Sequence, residues 1–150
     1  SGFECGVEPL DRYFKTQVRQ DIKRRVTACF TALDAQGHIA GYYTLASASI
    51  LLTDLAESLA RKMPRYPNVP AVRMGRLAVH RNHKGQGLGA ALLADALRRA
   101  NTAEIAACAL VVDAKDRVAA EFYAHHGFIA TSGHPLLLYL PLETVKGLVR

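Results

Sequence analysis

The stretch from Val72 to Arg99 constrains the fold more than any other part of this chain. It opens on Val72–Val79, an apolar segment typical of a buried strand. Three glycines follow within five residues, at positions 85, 87 and 89, and helical apolar spacing begins at Ala90. A strand, a glycine-rich loop and a helix in this order present free backbone N–H groups and a positive helix end to a phosphate. The stretch therefore predicts a phosphate-binding loop.

Two common phosphate-binding patterns do not fit this loop. The P-loop requires a Lys-Ser/Thr pair directly after its last glycine, and none follows these glycines. The dinucleotide fingerprint requires Gly-x-Gly-x-x-Gly, whereas the spacing here is Gly-x-Gly-x-Gly. The segment Lys84-Gly-Gln-Gly87-Leu-Gly89 resembles a third pattern, the Arg/Gln-x-x-Gly-x-Gly/Ala signature of the GNAT acyltransferases. Lys84 replaces the usual Arg or Gln but keeps a positive donor at that position.

A second segment resembles the same family. Asp113–Phe128 contains Phe122-Tyr-x-x-x-Gly-Phe128, which is similar to the second landmark of the GNAT acyltransferases. The two landmarks occur in the family's order and spacing. The resemblance implies an α/β (α+β) GNAT fold, with a mixed central sheet splayed at the acetyl-CoA site and flanked by helices. We expect a single domain spanning residues 1–150, because the length suits one core and no repeat or linker divides it.

A narrower resemblance covers nearly the whole chain. Phe3-Glu-Cys-Gly6, Gly41–Ser47 and Val72–Val79 are similar to segments of the TacT/KacT/AtaT-like GNAT toxins of type II toxin–antitoxin systems. That resemblance implies acetyl-CoA-dependent acetylation of the primary amine of aminoacyl-tRNA, which blocks translation. It also implies a homodimer and a ribbon-helix-helix antitoxin partner.

The resemblance assigns a role to each matching residue. In the family, the backbone of the strand before the loop binds the pantetheine arm and the acyl oxygen. That role falls on Leu77, Ala78 and Val79. The residues expected around the cofactor pyrophosphate are Arg81, Lys84, Gly85, Gln86, Gly87, Leu88, Gly89 and Ala90. Tyr123 resembles the family's general acid, a phenol directed at the CoA sulfur; the alternative is a core aromatic beside Phe122.

The charge distribution suggests a polyanionic ligand beyond the cofactor. The net charge is +6, and nine Lys or Arg but a single acid, Asp95, lie between Arg61 and Arg99. Arg24 and Arg25 belong to a second basic cluster. We predict that Arg24, Arg25 and Arg73 contact tRNA. No carboxylate stands out as a general base, and an α-amino group titrating near about 8 is partly neutral without one.

Composition argues against several other classes. The longest apolar run, Ile105–Val112, is too short to cross a bilayer, and no signal-peptide pattern opens the chain. The three cysteines are an odd number without C-x-x-C spacing, so we expect a reducing cytoplasm and no disulfide framework. His80 and His83 have H-x-x-H spacing but no third ligand, so we expect no metal site. They are expected to donate near phosphate.

Local patterns predict the remaining elements. Helices are expected at Pro9–Ile22, Leu52–Met63 and Gly87–Ala106, and after Asp113, which is expected to cap the last of them. Hairpins are expected at Val26–Ala48 and Phe128–Leu140. Tyr42 and Tyr43 alternate along one strand, so only one is expected to face the core.

Two other functions remain open from the sequence. One is a protein N-terminal or small-amine N-acetyltransferase, in which the basic face serves only CoA. The other is a non-catalytic module that binds acyl-CoA or nucleic acid; Tyr123 and the complete glycine loop argue against it.

Overall fold

The computed structural model of the chain describes residues 2–145, which form a mixed α/β structure. The helices are α1 Glu8–Thr16, α2 Val18–Lys23, α3 Glu57–Ala60, α4 Leu88–Thr102 and α5 Arg117–His125. The strands are β1 Ala28–Leu33, β2 Ile39–Leu51, β3 Asn68–Val79, β4 Ala109–Asp113, β5 Ile129–Thr131 and β6 His134–Pro141. Short 3₁₀ turns cover Leu52–Asp54, Arg81–His83 and Leu142–Val145.

The described strands form one sheet in the order β1-β2-β3-β4-β6-β5. β1 pairs with β2, β4 with β6, and β5 with β6, each in antiparallel orientation. Both predicted hairpins are therefore present. The predicted α/β class, a central sheet flanked by helices, is confirmed.

The described residues divide into two compact units. The first comprises residues 2–46 and 74–96, and the second comprises residues 47–73 and 97–145. β2, β3 and α4 each contribute residues to both units. The expectation of a single domain over residues 1–150 stays a prediction.

The core of the first unit is aromatic. Phe3, Tyr13, Val18, Tyr42 and Ala78 are buried together. The ring of Phe14 stacks on that of Tyr42 with centroids 4.5 Å apart. The Tyr42 hydroxyl donates a hydrogen bond to the Leu10 carbonyl oxygen at 2.8 Å, which ties α1 to β2.

The expectation that only one of Tyr42 and Tyr43 faces the core was wrong, because both are 0% exposed. The Tyr43 hydroxyl donates to the carboxylate of Asp95 on α4 at 2.5 Å, while Tyr42 reaches α1 on the other face. β2 is therefore covered on both faces, so alternation along this strand does not separate core from solvent.

The second unit has an aliphatic core around one tyrosine. Ile50, Val69, Ala109 and Val111 pack with Tyr139. The Tyr139 hydroxyl accepts a hydrogen bond from the Ala56 N–H at 2.7 Å. The first four residues of β4 are buried, as expected for a strand covered on both faces.

All four predicted helices differ in their bounds or in their cap, and the one expected over Gly87–Ala106 spans Leu88–Thr102. The first is interrupted at Gln17, whose φ of −120° leaves the helical range, so α1 and α2 are separate helices. The predicted Leu52–Met63 helix is reduced to a 3₁₀ turn and the four residues of α3. The cap of α5 is Asp116, whose Oδ1 accepts from the Ala119 N–H at 2.9 Å, and not Asp113 as predicted.

Candidate active site

The predicted strand, loop and helix follow one another in the first unit. β3 ends at Val79, a 3₁₀ turn follows, and α4 begins at Leu88. Gly85 and Gly87 have φ of +79° and +80°, a backbone region that a side chain disfavours. Residues 84–87 are exposed, so the backbone between β3 and α4 is open to a ligand.

The start of α4 is suited to an anion. The first N–H groups of a helix have no acceptor within the helix, and the Ala91 N–H donates to Gly87 O at 3.1 Å as the helix begins. The first turn of α4 contains no acidic residue. Its partial positive charge is therefore not neutralised locally, and a pyrophosphate carrying several oxygen acceptors fits there.

The two basic side chains of the loop contact the N-terminal segment of the chain. The Arg81 guanidinium lies 3.3 Å from Glu4 Oε2, and the Arg81 backbone N–H donates to Glu4 O at 2.8 Å. The Lys84 Nζ lies 3.8 Å from the position that a Cβ on Gly6 would occupy. Residues 4–6 therefore lie along one side of the loop, and Glu4 is hydrogen-bonded to it. The side chains of Arg81 and Lys84 both remain exposed.

The three strand residues expected to bind the acyl arm lie at the end of β3. Ala78 is buried, and Leu77 and Val79 are partly buried. Gly41 on β2 makes this packing possible, because a Cβ there would come 2.9 Å from Ala78 O and 2.8 Å from Leu92 Cδ1. The sequence offered only the glycine itself as a sign of this close approach between α4 and the sheet.

Tyr123 lies on α5, in the second unit, and is 8% exposed. Its ring centroid is 5.3 Å from that of Phe122 and 5.4 Å from that of Phe128. Burial raises the pKa of Tyr123 to about 12, so the phenol stays protonated at physiological pH. Among residues 2–145 its hydroxyl has no hydrogen-bond partner, yet it is not sealed from solvent.

The three arginines expected to contact tRNA have different surroundings. Arg24 and Arg25 are exposed just after α2, and Arg25 has a φ of +62°. Arg73, at the surface of the second unit, pairs with Asp113 through Nη1 and Oδ2 at 2.8 Å. Such an exposed pair contributes little to stability and can exchange for a phosphate. Asp113 ends β4 four residues before α5 begins, so it does not occupy the N-cap position.

The histidines have partners within the protein. His80 Nδ1 accepts from the Asn82 N–H at 3.1 Å, and His83 Nε2 lies 3.4 Å from Asp34 Oδ2. Both line a cavity of about 490 Å³ with His38 and Asp34. Within residues 2–145 no group of three His, Cys, Asp or Glu side chains is placed to hold a metal ion.

Sequence reasoning missed one cationic side chain. Arg76 is partly buried on β3, and its Cζ lies 3.5 Å from the centroid of the Tyr13 ring. The strand pattern contained an arginine at this position, but its pairing with a ring on α1 depends on long-range packing.

None of the helices in residues 2–145 combines the length and hydropathy that a bilayer-spanning segment requires.

Comparison with known families identifies the loop and Tyr123 segments as parts of one domain type. A family profile described as an acetyltransferase (GNAT) domain matches residues 5–136. A curated relative, the tRNA-acetylating toxin of Mycobacterium tuberculosis, is 32% identical over 151 residues, covering 99% of this chain and 89% of that protein. The probable toxin TacT of Sinorhizobium fredii is 26% identical and covers 99% of this chain and 88% of its own length.

Three solved structures also resemble this chain over nearly its whole length. A tyrosine-to-phenylalanine mutant of KacT superimposes with a TM-score of 0.91 at 28% identity, over 99% of this chain and 90% of that chain. AtaT complexed with acetyl-methionyl-tRNAfMet superimposes with a TM-score of 0.90 at 30% identity, with the same two coverages. A structure of AtaTR bound with acetyl-CoA has a TM-score of 0.83 at 27% identity, again over 99% and 90% of the two chains.

Proposed function

Because the chain belongs to the acetyltransferase (GNAT) family, we propose that it transfers an acetyl group from acetyl-CoA to the primary amine of an aminoacyl-tRNA, as the toxin of a type II toxin–antitoxin pair. The observation that carries the proposal is the full-length similarity to AtaT, a protein solved in complex with acetyl-methionyl-tRNAfMet. The excess of basic residues supports a polyanionic substrate.

The residues of the glycine loop fit acetyl-CoA. We assign its pyrophosphate to the N–H groups of residues 84–90, beside which Arg81 and Lys84 are exposed cations. The backbone of Leu77, Ala78 and Val79 is assigned to the pantetheine arm and the acyl oxygen. The proposed cofactor-binding residues are therefore Leu77, Ala78, Val79, Arg81, Lys84, Gly85, Gln86, Gly87, Leu88, Gly89 and Ala90.

Bound acetyl-CoA supplies a thioester that is attacked by an amine and releases a thiolate. With acetyl-CoA bound, backbone N–H groups of β3 would hydrogen-bond to the acyl oxygen as negative charge builds on it. Tyr123, whose raised pKa keeps the phenol protonated beforehand, would donate its hydrogen to the departing sulfur. It would be reprotonated by the proton that the attacking nitrogen releases as it becomes an amide. An α-amino group with a pKa near about 8 loses its proton to solvent, so no side chain is required as a base.

The relatives support an antitoxin as a partner of this chain. A tyrosine-to-phenylalanine mutant of AtaT has been solved bound to the C-terminus of the antitoxin AtaR, in a structure with a TM-score of 0.82 to this chain. We assign this chain an antitoxin partner of the ribbon-helix-helix type, a homodimeric state and a cytoplasmic location. An upstream reading frame for a short ribbon-helix-helix protein would support this assignment.

The direct test is incubation with labelled acetyl-CoA and total aminoacyl-tRNA. We expect the label on the aminoacyl group, and its release by mild alkaline hydrolysis of the ester. Label on protein N-termini or polyamines, and none on tRNA, would instead identify a protein or small-amine acetyltransferase. Binding of acetyl-CoA without any transfer would identify a non-catalytic module.

A further inference from the structure

The guanidinium of Arg76 is held in one position against Tyr13. Its Cζ lies 3.5 Å from the ring centroid, which is a cation–π geometry. At the other end of the residue, the backbone N–H donates to Thr44 Oγ1 at 3.0 Å, and Thr44 is 1% exposed. The ring therefore restrains the guanidinium end of a side chain that otherwise has many rotamers, and the bond to Thr44 fixes the backbone from which that side chain extends.

Tyr13 is itself held in place by Asp21. Its hydroxyl donates to Asp21 Oδ2 at 2.8 Å, and Gln17 Nε2 donates to the other carboxylate oxygen at 3.0 Å. Burial raises the pKa of Tyr13 to about 12, so the hydroxyl remains a donor at neutral pH. The hydrogen bonds from Gln17 and Tyr13 lower the pKa of Asp21 and keep the carboxylate ionised.

The hydrogen-bond donors of Arg76 are not used within the described part of the chain. Across residues 2–145 the guanidinium makes no hydrogen bond and no ion pair. No fully buried side-chain nitrogen in that range lacks a partner, so these donors reach solvent. A flat guanidinium fixed by a ring, with its N–H groups directed outward, is suited to paired hydrogen bonds with an oxyanion.

We infer that Arg76 binds a phosphate group of the acceptor arm of aminoacyl-tRNA, and that Tyr13 and Asp21 are its positioning residues. The inference rests on the proposed function, since it names a contact to that substrate. An aminoacyl ester has no free carboxylate, so the anions nearest the reactive amine are the phosphodiesters of the tRNA 3′ end. The cofactor also carries phosphates, but the glycine loop already offers them backbone N–H groups.

The position of Arg76 along the chain fits this role. It directly precedes Leu77–Val79, the segment assigned to the acyl arm, so an anion held there lies beside the reacting groups. Arg76 and Arg24 both lower the pKa of Asp21, although less than its hydrogen bonds do. Both cations therefore lie near this one carboxylate. The proposed site extends toward the basic turn after α2, where a longer stretch of the tRNA backbone can be neutralised.

The test compares Arg76→Gln and Arg76→Lys with the wild-type chain. We expect Arg76→Gln to raise KM for aminoacyl-tRNA about tenfold or more, the size of a charge-assisted hydrogen-bond pair. The log–log salt slope of tRNA binding should fall by about 0.7–0.9, the value for one phosphate that is no longer neutralised. The Kd for acetyl-CoA should stay within about twofold. Arg76→Lys should restore the wild-type salt slope but reverse only part of the rise in KM, because a lysine lacks the paired donors.

Two further variants test the positioning role. Tyr13→Phe keeps the ring but removes the hydroxyl that bonds Asp21, so KM should rise, though less than in Tyr13→Leu, which removes the ring as well and should approach Arg76→Gln. Arg12→Gln is the matched control, because Arg12 is an exposed cation of the same unit that is paired with Glu8 at 2.7 Å. Thermal unfolding of each variant separates a general loss of folding from a specific weakening of tRNA binding.

The outcomes separate this inference from the proposed function. If wild type acetylates aminoacyl-tRNA and Arg76→Gln retains its KM and salt slope, the inference alone is wrong. A rise confined to the acetyl-CoA Kd would assign the guanidinium to the cofactor and also overturn it. Binding of tRNA with an Arg76-dependent slope but without acetyl transfer would overturn the reaction and leave the phosphate interaction standing. If wild type does not bind tRNA at all, both are wrong.

Discussion

The buried tyrosines of this chain differ in what their hydroxyl groups contact. Those of Tyr13, Tyr42 and Tyr43 donate to a carboxylate or a carbonyl, and that of Tyr139 accepts from a backbone N–H. The hydroxyl of Tyr123 has no such partner within residues 2–145. A buried tyrosine whose hydroxyl serves the fold is normally hydrogen-bonded, so the unpartnered phenol favours a ligand-directed role over a core aromatic.

Tyr123→Phe removes one oxygen and keeps the ring between Phe122 and Phe128. Because no hydrogen bond within the described residues is removed, we expect thermal stability and acetyl-CoA affinity close to wild type. A positioned acid typically contributes about 10²–10⁴-fold to the rate, so kcat should fall by about two orders of magnitude or more. Single-turnover acetylation and a growth assay at equal expression measure the effect. Activity within about threefold of wild type would exclude Tyr123 as the acid.

Tyr139→Phe is the matched control for this substitution. It also removes one phenolic oxygen, but it leaves the Ala56 N–H without its acceptor. A part-buried hydrogen bond of this kind contributes about 0.5–1.5 kcal/mol to the free energy of unfolding, so this variant should lose stability and keep kcat. The opposite pattern in the two variants would mean that the Tyr139 hydroxyl serves the reaction and the Tyr123 hydroxyl serves the fold.

The elements that the sequence predicted well are those whose signals are local. Val72–Val79, the glycines and the apolar spacing after them lie within one continuous segment, and β3, the loop and α4 followed in that order. The prediction for Leu52–Met63 was wrong in extent, because Leu55 and Ala56 are extended, with ψ of 150° and 141°, and divide the segment into a 3₁₀ turn and α3. Arg76 on Tyr13 and Gly41 against Leu92 are contacts between distant segments, which no local pattern encodes.

The cap of α5 shows how a long-range contact changes a local prediction. Asp113 and Asp116 both suit an N-cap, but Asp113 lies at the end of β4 and pairs with Arg73 on β3. We expect Asp116→Ala to cost about 1 kcal/mol of unfolding free energy, the usual value for removal of an N-cap. Asp113→Ala should cost less, because an exposed ion pair contributes about 0–1 kcal/mol. Chemical denaturation measures both; a larger loss of stability from Asp113→Ala would reassign the cap.

The glycine loop is the element to which we assign the pyrophosphate of the proposed cofactor. Gly87 has a φ of +80° with no atom within 4 Å of where a Cβ would lie, so the site has space but disfavours a side chain. We expect Gly87→Val to weaken acetyl-CoA binding, because it strains the backbone where α4 begins and intrudes on the N–H groups. Calorimetric titration measures the change.

Gly37→Val is the control for this loop. Gly37 also has a positive φ, +83°, and open space, but lies in the β1–β2 turn. The Gly37→Val variant should lose about as much stability as Gly87→Val but keep its affinity for acetyl-CoA. Equal affinity in the folded Gly87→Val variant would place the cofactor elsewhere.

At the scale of the whole molecule, the basic residues fall into paired and unpaired groups. Arg73 and Arg81 each form an ion pair with a carboxylate, at 2.8 and 3.3 Å, whereas Arg24 and Arg25 are exposed after α2 and form no ion pair within the described residues, although Arg24 lies near Asp21. A paired arginine must exchange its carboxylate for a phosphate, so its net contribution to nucleic-acid binding is smaller. The net charge of +6 already subtracts these carboxylates, so it does not show which of the 19 Lys and Arg are ready for tRNA; the pairing of each one does.

Neutralising Arg24, Arg25, Arg73 and Arg81 together should weaken tRNA binding and flatten its salt dependence, because fewer counterions are released. We expect Arg24→Gln with Arg25→Gln to account for most of the change, at about 0.7–0.9 units of log–log slope for each phosphate no longer neutralised. The Arg73→Gln variant should change the salt slope less. The Arg81→Gln variant should also be titrated with acetyl-CoA, because Arg81 lies in the loop. Fluorescence anisotropy of labelled tRNA between about 50 and 200 mM salt measures each slope.

The control is the double variant Arg12→Gln with Arg61→Gln. It removes two exposed cations that are paired with Glu8 and Glu57 along their own helices, and so changes the net charge as much as the Arg24 and Arg25 pair does. If binding depends on net charge alone, the two double variants will shift the slope equally. If the tRNA follows the turn after α2, only the Arg24 and Arg25 pair will flatten it. A quadruple variant that keeps the wild-type slope would exclude these four arginines as the tRNA-binding face.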